Sequence, residues 1–374
     1  MRRHWRLVSV GLALASMAPL PACRRSEAPK TNPATATDTT QRASDPALTT
    51  TLLGGERGLE HVGMAVKDLE AATHVYRDLL GFNRPIEGKL PNGIRNVNYY
   101  FTDATYLETL VHWDRARAPW LAAFTDKRSG ALFGVLSAHS PEASTTFLAA
   151  RGIQASAPYL GTIELTGELT GEMTGEMTAN NTQKVTAPKW HTFFLPEGTL
   201  PGDPLYFIAY PRAPREDYLR KLESRDNRRQ LYHDNTALGI RALWIAVPDL
   251  AAAVRAYQSI GLGRAGAFDD GALGARVELF DTGTGSGQIW LLGAAPGKDN
   301  PVTRFVTERG GPGIMGITLL AGSIPAAARL IGERTGRPVS RFEGHYGDSF
   351  RVSPEVTLGV WLEFAQYLVP QPAP

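Results

Sequence analysis

Two residues in strand-like segments have side chains that could carry chemistry. Glu108 lies in the run Tyr106–Leu110, whose other residues are mostly apolar. A carboxylate buried in such a strand without a partner is costly, so Glu108 should have a cation, a proton or hydrogen-bond donors beside it. His61 lies in a second strand-like run, LEHVGMAV, and shares a strand face with Gly63 and Ala65. These small neighbours would leave space beside an imidazole.

Several other kinds of site are excluded. The sequence contains no serine nucleophile elbow, no phosphate-binding glycine loop and no dinucleotide fingerprint. The glycine-rich stretch at 281–287 lies between two predicted strands, which indicates a hairpin loop. The single cysteine excludes an internal disulfide and a thiolate zinc cluster. The 39 lysines and arginines nearly balance the 37 acidic residues, so no nucleic-acid partner is predicted.

The two residues belong to a pattern that occurs four times along the chain. Each copy begins with a strand-like run and continues as an amphipathic helix; the four runs cover residues 59–66, 131–138, 240–247 and 312–319. Three of the helices begin after Lys-Asp, Ser-Pro or Pro-Asp, as N-terminal capping requires, and Gly81 is placed to end the first one. Further short strand-like runs follow each helix, so the predicted unit is β-α-β-β-β.

Four such units resemble the vicinal-oxygen-chelate superfamily in its glyoxalase-like branch. This superfamily includes glyoxalase, fosfomycin-resistance proteins, bleomycin-binding proteins and extradiol dioxygenases. The segments that carry the resemblance are GLEHVGMAVKDLEAATHVYRDLLGF, GIRNVNYYFTDATYLETLV and FFLPEGTLPGDPLYFIAY. The resemblance implies an α+β fold in which four βαβββ modules pair into two cup-shaped domains, 52–212 and 236–374, joined by a linker at 213–235. An insertion at 166–177, TGELTGEMTGEM, is predicted to be a surface loop.

The resemblance also implies where a metal would bind, because the superfamily takes its ligands from the first and last strands of a module. His61 matches the first-strand position and Glu108 the last-strand position, where the carboxylate could double as a base. The second and third modules lack both ligands, and the fourth keeps only Glu363. Since catalytic sites usually use three protein ligands, a third would have to come from His191 or Glu363. The metal would be zinc, nickel, manganese or ferrous iron.

Three interpretations of His61 and Glu108 stay open at this point. With a metal, the protein would be a lyase, isomerase or dioxygenase acting on a small oxygenated molecule. Without a metal, the two residues would lie in a cup that binds and sequesters a small ligand, as the bleomycin-binding relatives do. In the third interpretation the pair is purely structural. The side chains predicted to contact a ligand are Asn96, Asn98, Tyr100 and Trp190.

The N-terminal residues predict export and a lipid anchor. Arg2, Arg3 and Arg6 precede an apolar run at 7–20, which is shorter than the about 20 residues that span a bilayer. Cys23 follows in the sequence LPAC, which resembles a bacterial lipoprotein signal. We therefore predict a signal peptide at 1–22, lipidation of Cys23, a tether at 23–51 and a periplasm-facing protein, on the outer membrane rather than the inner one. The alternative is an ordinary cleaved signal with an incidental cysteine.

Overall fold

The computed structural model describes most of the chain after residue 50. The described residues are 51–56, 58–83, 85–161, 164–166, 185–186, 190–202, 204–210, 231–283, 287–294 and 299–366. The predicted signal peptide, Cys23, the tether before residue 51, the repeat at 167–177 and the linker up to residue 230 lie outside the described residues. Residues 46–374 form one compact unit.

The first half of the chain contains two modules. Module one consists of β1 (Leu59–Ala65), helix α1 (Leu69–Thr73) with its π-helical continuation (His74–Leu79), β2 (Ile86–Leu90), β3 (Ile94–Tyr100) and β4 (Tyr106–His112). Helix α2 (Pro119–Lys127) connects it to module two. Module two consists of β5 (Gly130–Ser137), α3 (Pro141–Ala149), β6 (Tyr159–Gly161), β7 (Glu164–Thr166), β8 (Val185–Thr186), β9 (Trp190–Phe194) and β10 (Leu205–Ala209).

The second half repeats this arrangement. Module three consists of β11 (Ala237–Val247), α4 (Leu250–Ser259), β12 (Gly263–Asp270), β13 (Ala275–Asp281) and β14 (Gln288–Ala294). Helix α5 (Pro301–Arg309) connects it to module four. Module four consists of β15 (Gly313–Ala321), α6 (Ile324–Thr335), β16 (Arg341–Gly344), β17 (Gly347–Val352) and β18 (Trp361–Gln366).

The helix that follows the first strand of each module begins with the same device. The capping side chains accept hydrogen bonds from backbone amides one turn ahead; they are Asp68, Ser140, Asp249 and Ser323. Gly81 follows the first helix with a left-handed φ of 79°, which confirms the predicted stop. The capping signals in the sequence therefore set where these helices start.

The strands form two sheets, one from each half. The first has ten strands in the order β6-β9-β10-β5-β1-β4-β3-β2-β7-β8, and the second has eight in the order β12-β13-β14-β11-β15-β18-β17-β16. In each half the first strands of the two modules lie side by side, β1 against β5 and β11 against β15. The predicted α+β fold of four modules paired two by two is confirmed.

The ten-stranded sheet is strongly curled. Strands β6 and β7 lie toward opposite ends of the strand order, yet only two residues separate Gly161 from Glu164. Three residue steps span at most about 11 Å of extended chain. The β2 and β6 sides of the sheet therefore approach each other, and the sheet wraps around one of its faces.

Strand alternation separates two buried faces of the first sheet. One face carries Val62, Leu107 and Phe207, which join a core shared with side chains of the second sheet. The other face carries Ala65, Leu110, Phe133, Val135 and Ile208, and helix α2 packs on it. We call this second face, together with the side chains that project from it, the first cup. The second sheet has an equivalent face, the second cup, which contains Trp244, Trp290 and Leu292 and packs on helix α5.

The two halves are also joined by hydrogen bonds across their shared core. The backbone N–H of Leu59 donates to Thr282 Oγ1 at 3.0 Å, and that of Ile240 donates to Thr105 Oγ1 at 2.8 Å. Among the described residues, no helix has the length and apolar character needed to cross a bilayer.

Candidate functional site

The candidate site lies at the centre of the ten-stranded sheet, where strands β5, β1, β4 and β3 are neighbours. In the parallel pair β1–β4, His61 lies opposite Tyr106 and Gly63 opposite Glu108. His61 and Glu108 share their strand faces with Ala65 and Leu110. Both side chains therefore project into the first cup, and both are almost fully buried.

A third acidic residue, Glu60, joins this pair because of a β-bulge. The register of β1 against β5 shifts between Leu59 and His61, so the two consecutive side chains Glu60 and His61 can meet. Glu60 Oε2 lies 2.5 Å from His61 Nδ1, and Glu60 is only 2% exposed. Simple alternation places Glu60 on the opposite face from His61, so the sequence analysis missed it. A charged residue beside His61 in an otherwise apolar run was the available signal.

Glu108 is held on the other side of the imidazole. Its Oε2 lies 3.7 Å from His61 Nε2, and its Oε1 accepts a hydrogen bond from Asn96 Nδ2 at 2.5 Å. Burial raises the pKa of Glu108, while the nearby His61 and the Asn96 hydrogen bond offset part of the rise. A continuous chain of polar side chains thus runs through apolar surroundings, in the order Glu60, His61, Glu108, Asn96.

Aromatic rings enclose the imidazole. Tyr106 stacks on it with ring centroids 4.2 Å apart, and Phe133 meets it edge-on at 6.1 Å. A Cβ atom on Gly63 would lie 2.2 Å from Phe133 Cζ. The expectation that Gly63 leaves space beside the imidazole is wrong in detail, because the phenyl ring of the neighbouring module fills that space.

The predicted ligand-contacting residues divide into a buried pair and a half-buried pair. Asn96 and Asn98 project from β3 into the first cup, with Asn98 directly opposite Glu108. They are 3% and 4% exposed, and the side-chain oxygen of each has no hydrogen-bond partner in the described part of the chain. Tyr100, whose ring lies 4.7 Å from that of Tyr106, and Trp190 are half-buried at the edge of the cup.

Neither predicted third metal ligand joins the site. His191 follows Trp190 on β9 and shares the face of Phe193, which belongs to the shared core, so alternation directs it away from the first cup. Glu363 lies in the other sheet, where Arg351 binds it. Both expectations are therefore wrong.

Among the residues that the structure describes, the donor set does not fit a metal held by protein ligands alone. Only His61 Nε2 and Glu108 Oε2 face one another, while Glu60 engages the opposite nitrogen of the ring. Within the described ranges, no three His, Cys, Asp or Glu side chains are arranged to hold an ion. Catalytic zinc and iron sites usually require three such ligands. The corresponding face of module two contributes Phe133 and Tyr206 instead, whose rings lie 4.9 Å apart.

The second cup contains a tryptophan stack and a buried group of ion pairs. Trp244 and Trp290 are fully buried and stacked, with ring centroids 5.6 Å apart. Arg351 lies between two carboxylates, donating to Asp270 Oδ2 at 2.5 Å and to Glu363 Oε2 at 2.7 Å. Burial raises the pKa of Glu363 to about 7, although Arg351 opposes the rise. Asp270, which shares the same guanidinium, adds to the rise in the pKa of Glu363.

Sequence comparison agrees with this architecture. A family model described as a glyoxalase-like domain matches residues 59–261, which is more than half of the chain. The chain therefore belongs to the glyoxalase-like domain family, within the vicinal-oxygen-chelate superfamily. No curated protein matches it in sequence.

Two solved structures share the fold at low sequence identity. A mutant of 4-hydroxymandelate synthase from Streptomyces coelicolor has 12% identity and a TM-score of 0.53, over 82% of this chain and 92% of that one. A hypothetical protein from Staphylococcus aureus has 10% identity and a TM-score of 0.53, over 83% and 99%. Methylmalonyl-CoA epimerase from Mycobacterium tuberculosis, at 23% identity and a TM-score of 0.32, covers 37% of this chain and 91% of that one.

Proposed function

We propose that this protein binds a small organic molecule in the first cup, over His61 and Glu108, without a metal held by protein ligands. One observation carries the proposal: the side-chain oxygens of Asn96 and Asn98 are buried there with no hydrogen-bond partner among the described residues. A buried oxygen without a partner costs on the order of 1–3 kcal/mol. Two such oxygens beside one carboxylate suit a ligand that donates hydrogen bonds.

Aromatic side chains would supply the apolar part of the site. Tyr100, Trp190, Tyr206 and Tyr210 are half-buried around the polar group, and all but Tyr100 pack against the apolar face of the first cup. Small-molecule sites typically combine such an apolar lining with a few convergent polar groups. The ligand class that fits both features is a small molecule with an apolar or aromatic body and a hydrogen-bond-donating head.

Ligand screening on the full chain tests this function. Compounds that bind the first cup should raise the melting temperature of the wild type, and Asn98→Ala and Trp190→Ala should each weaken that rise. Trp113→Ala is the matched control, because Trp113 is exposed and lies under Lys89 rather than in the cup. If no stabilising compound is sensitive to Asn98→Ala or Trp190→Ala, the proposed function is wrong.

The rival activity is a metal-dependent lyase, isomerase or dioxygenase acting through His61 and Glu108. Their facing atoms at 3.7 Å supply two of the three protein ligands that such a site needs. Elemental mass spectrometry decides between the two functions, using the full chain supplied in turn with zinc, nickel, manganese and anaerobic ferrous iron. Near-stoichiometric metal that is lost in both His61→Ala and Glu108→Ala would contradict metal-free binding.

Glu108 is also the residue that would act as a base if the bound molecule reacts. Burial raises its pKa, and a carboxylate of higher pKa accepts a proton more readily. Its position opposite Asn98 would bring it within reach of a molecule bound to that amide. The exchange of a ligand proton with solvent can be monitored by NMR in deuterated water. This exchange should stop when the ligand is bound to Glu108→Gln.

We also propose that the protein is exported and anchored to the cell envelope through Cys23. The support is the sequence pattern alone, with its basic start, short apolar run and LPAC motif. Metabolic labelling with a fatty acid should mark the wild type and not Cys23→Ser. Equal labelling of both would contradict the anchor.

A further inference from the structure

We propose that the head group of the ligand is an organic cation, a guanidinium or primary ammonium, placed beside Glu108 where the second cup carries its own arginine. This inference rests on the proposed function and assigns the ligand its chemistry. The proposal is supported by a comparison of the two cups, by the hydrogen-bonding groups around Glu108 and by the aromatic rings nearby.

The two cups have different side chains opposite the last-strand carboxylate. In the second cup, Arg351 on β17 lies directly opposite Glu363 on β18 and binds its carboxylate. In the first cup, the position opposite the last-strand carboxylate is occupied by Asn98, on the equivalent strand β3. The second cup therefore contains its counter-cation, whereas the first cup has a short neutral side chain at that position.

The groups around Glu108 are mainly hydrogen-bond acceptors. Asn96 donates its Nδ2 to Glu108, which fixes its orientation and leaves its Oδ1 buried without a partner in the described chain. Asn98 Oδ1 is also buried without a hydrogen-bond partner in the described chain, and both side chains are more than nine-tenths buried. A guanidinium or an ammonium has only donors to offer, so it would satisfy the carboxylate and both amide oxygens at once.

Charge favours the same class of ligand. Glu108 is buried beside the imidazole of His61 and the neutral amide of Asn96, and no lysine or arginine side chain contacts it in the described part of the chain. In the second cup, the last-strand carboxylate Glu363 has a guanidinium beside it, which it shares with Asp270. A ligand cation beside Glu108 would supply the charge partner that Glu363 has in Arg351.

The aromatic surround is also of the kind that stabilises cations. In the second cup, the Arg351 guanidinium lies 5.1 Å from the ring of Trp244 and 4.7 Å from that of Phe342. In the first cup, Tyr106 and Phe133 border His61, and the Tyr100 ring lies 4.7 Å from Tyr106. Ring faces within about 6 Å of a cation contribute favourably, most of all when water is excluded.

The test compares phenylguanidine with its neutral isostere phenylurea by calorimetric titration into the full chain. Phenylguanidine should bind more tightly than phenylurea by about tenfold or more, because only the cation pairs with the buried carboxylate. Glu108→Gln should remove that preference. Glu87→Gln is the matched control, since it removes an equal charge from an exposed residue on the neighbouring strand β2 and should keep the preference.

A second variant places the missing cation in the protein itself. Asn98→Arg reproduces the cross-strand pair of the second cup and should abolish phenylguanidine binding while the circular dichroism spectrum stays that of the wild type. If Asn98→Arg does not fold, the comparison of the wild type with Glu108→Gln is sufficient to test the proposal.

Equal binding of both probes, or no saturable binding of phenylguanidine at millimolar concentration, overturns the cation assignment. Binding of phenylurea that is lost in Asn98→Ala would still support the proposed function, so the two failures are distinguishable.

Discussion

At the residue scale, the packing of Phe133 against Gly63 defines one wall of the site. The phenyl ring lies where a side chain on Gly63 would be, and it borders the imidazole of His61. The glycine is thus required by close approach of a neighbouring ring, not by its backbone conformation. Any side chain at this position must displace the ring or the strand.

Gly63→Ala should therefore lower the free energy of unfolding by about 1–3 kcal/mol, because overpacking forces the ring from its position. Urea denaturation measures the change. Gly263→Ala is the control, since no atom lies within 4 Å of a Cβ added there, and it should change stability by less than about 0.5 kcal/mol. Equal effects of the two substitutions would contradict the close packing of Phe133.

Glu363 gives the second cup a pH dependence. Its pKa is raised from 4.5 to about 7 by burial, with Asp270 adding to the rise and Arg351 opposing it. The folded protein therefore holds a proton between about pH 4.5 and pH 7 that the unfolded chain has released. The stabilisation from this proton is fully present below pH 4.5 and is lost as the pH rises through 7.

Glu363→Gln removes this titration and keeps a neutral side chain of the same shape. The stability of the wild type relative to Glu363→Gln should decrease as the pH rises from about 4.5 to 7, and then stay constant. Urea denaturation of both proteins at four pH values in that range measures the difference. A difference that does not change with pH would contradict the raised pKa.

At the element scale, one irregularity in β1 creates the polar group of the first cup. A regular strand would place Glu60 and His61 on opposite faces, whereas the bulge lets them meet at 2.5 Å. The helices, in contrast, follow their sequence signals closely. Asp68 begins α1 by accepting hydrogen bonds from the backbone N–H groups of Glu70 and Ala71 at 2.9 and 3.0 Å.

Asp68→Ala should lower the free energy of unfolding by about 1 kcal/mol, because two amides at the start of α1 lose their acceptor. Thermal or urea denaturation detects a change of this size. Asp269→Ala provides the comparison, since Asp269 is highly exposed on β12 and caps no helix. If Asp269→Ala lowered the free energy of unfolding as much as Asp68→Ala, removal of a negative charge, rather than loss of the helix cap, would be the cause.

At the scale of the whole molecule, His233 joins the two halves. Its Nδ1 accepts a hydrogen bond from the backbone N–H of Asn83 at 2.9 Å, and its Nε2 lies 3.0 Å from the carbonyl oxygen of Tyr100. Burial lowers the pKa of His233 from 6.5 to about 4, with Tyr100 and Asp234 acting in the opposite sense. The imidazole therefore stays neutral in the folded protein across the physiological range.

Acidification should weaken this connection. As the pH falls from about 6.5 to about 4, the unfolded chain binds a proton that the folded protein does not, which lowers stability by on the order of 3 kcal/mol. His233→Gln should remove this part of the pH dependence, measured as the difference from the wild type in urea denaturation. His112→Gln, at the end of β4 and outside this contact, should leave it intact.

Much of the fold could be predicted because it depends on local signals. Strand alternation, helix caps such as Asp68 and a stop at Gly81 are visible in the sequence, and their recurrence revealed the four modules. Glu108 was recognisable because a carboxylate in an apolar strand is costly to bury, and His61 because it matches the first-strand ligand position of the superfamily. The start of the first helix at Asp68 and its stop at Gly81 agree with those predictions.

The sequence by itself therefore determined the four modules and the two polar residues in their strands, and the family resemblance implied how the modules pair. Only the tertiary structure decided what lies beside them: Glu60 through a bulge, Phe133 over Gly63, and an asparagine opposite Glu108 where the second cup has Arg351. The physical reason is distance along the chain. Caps and alternation act within a few residues, whereas register shifts and partners from other strands arise only when distant segments pack together.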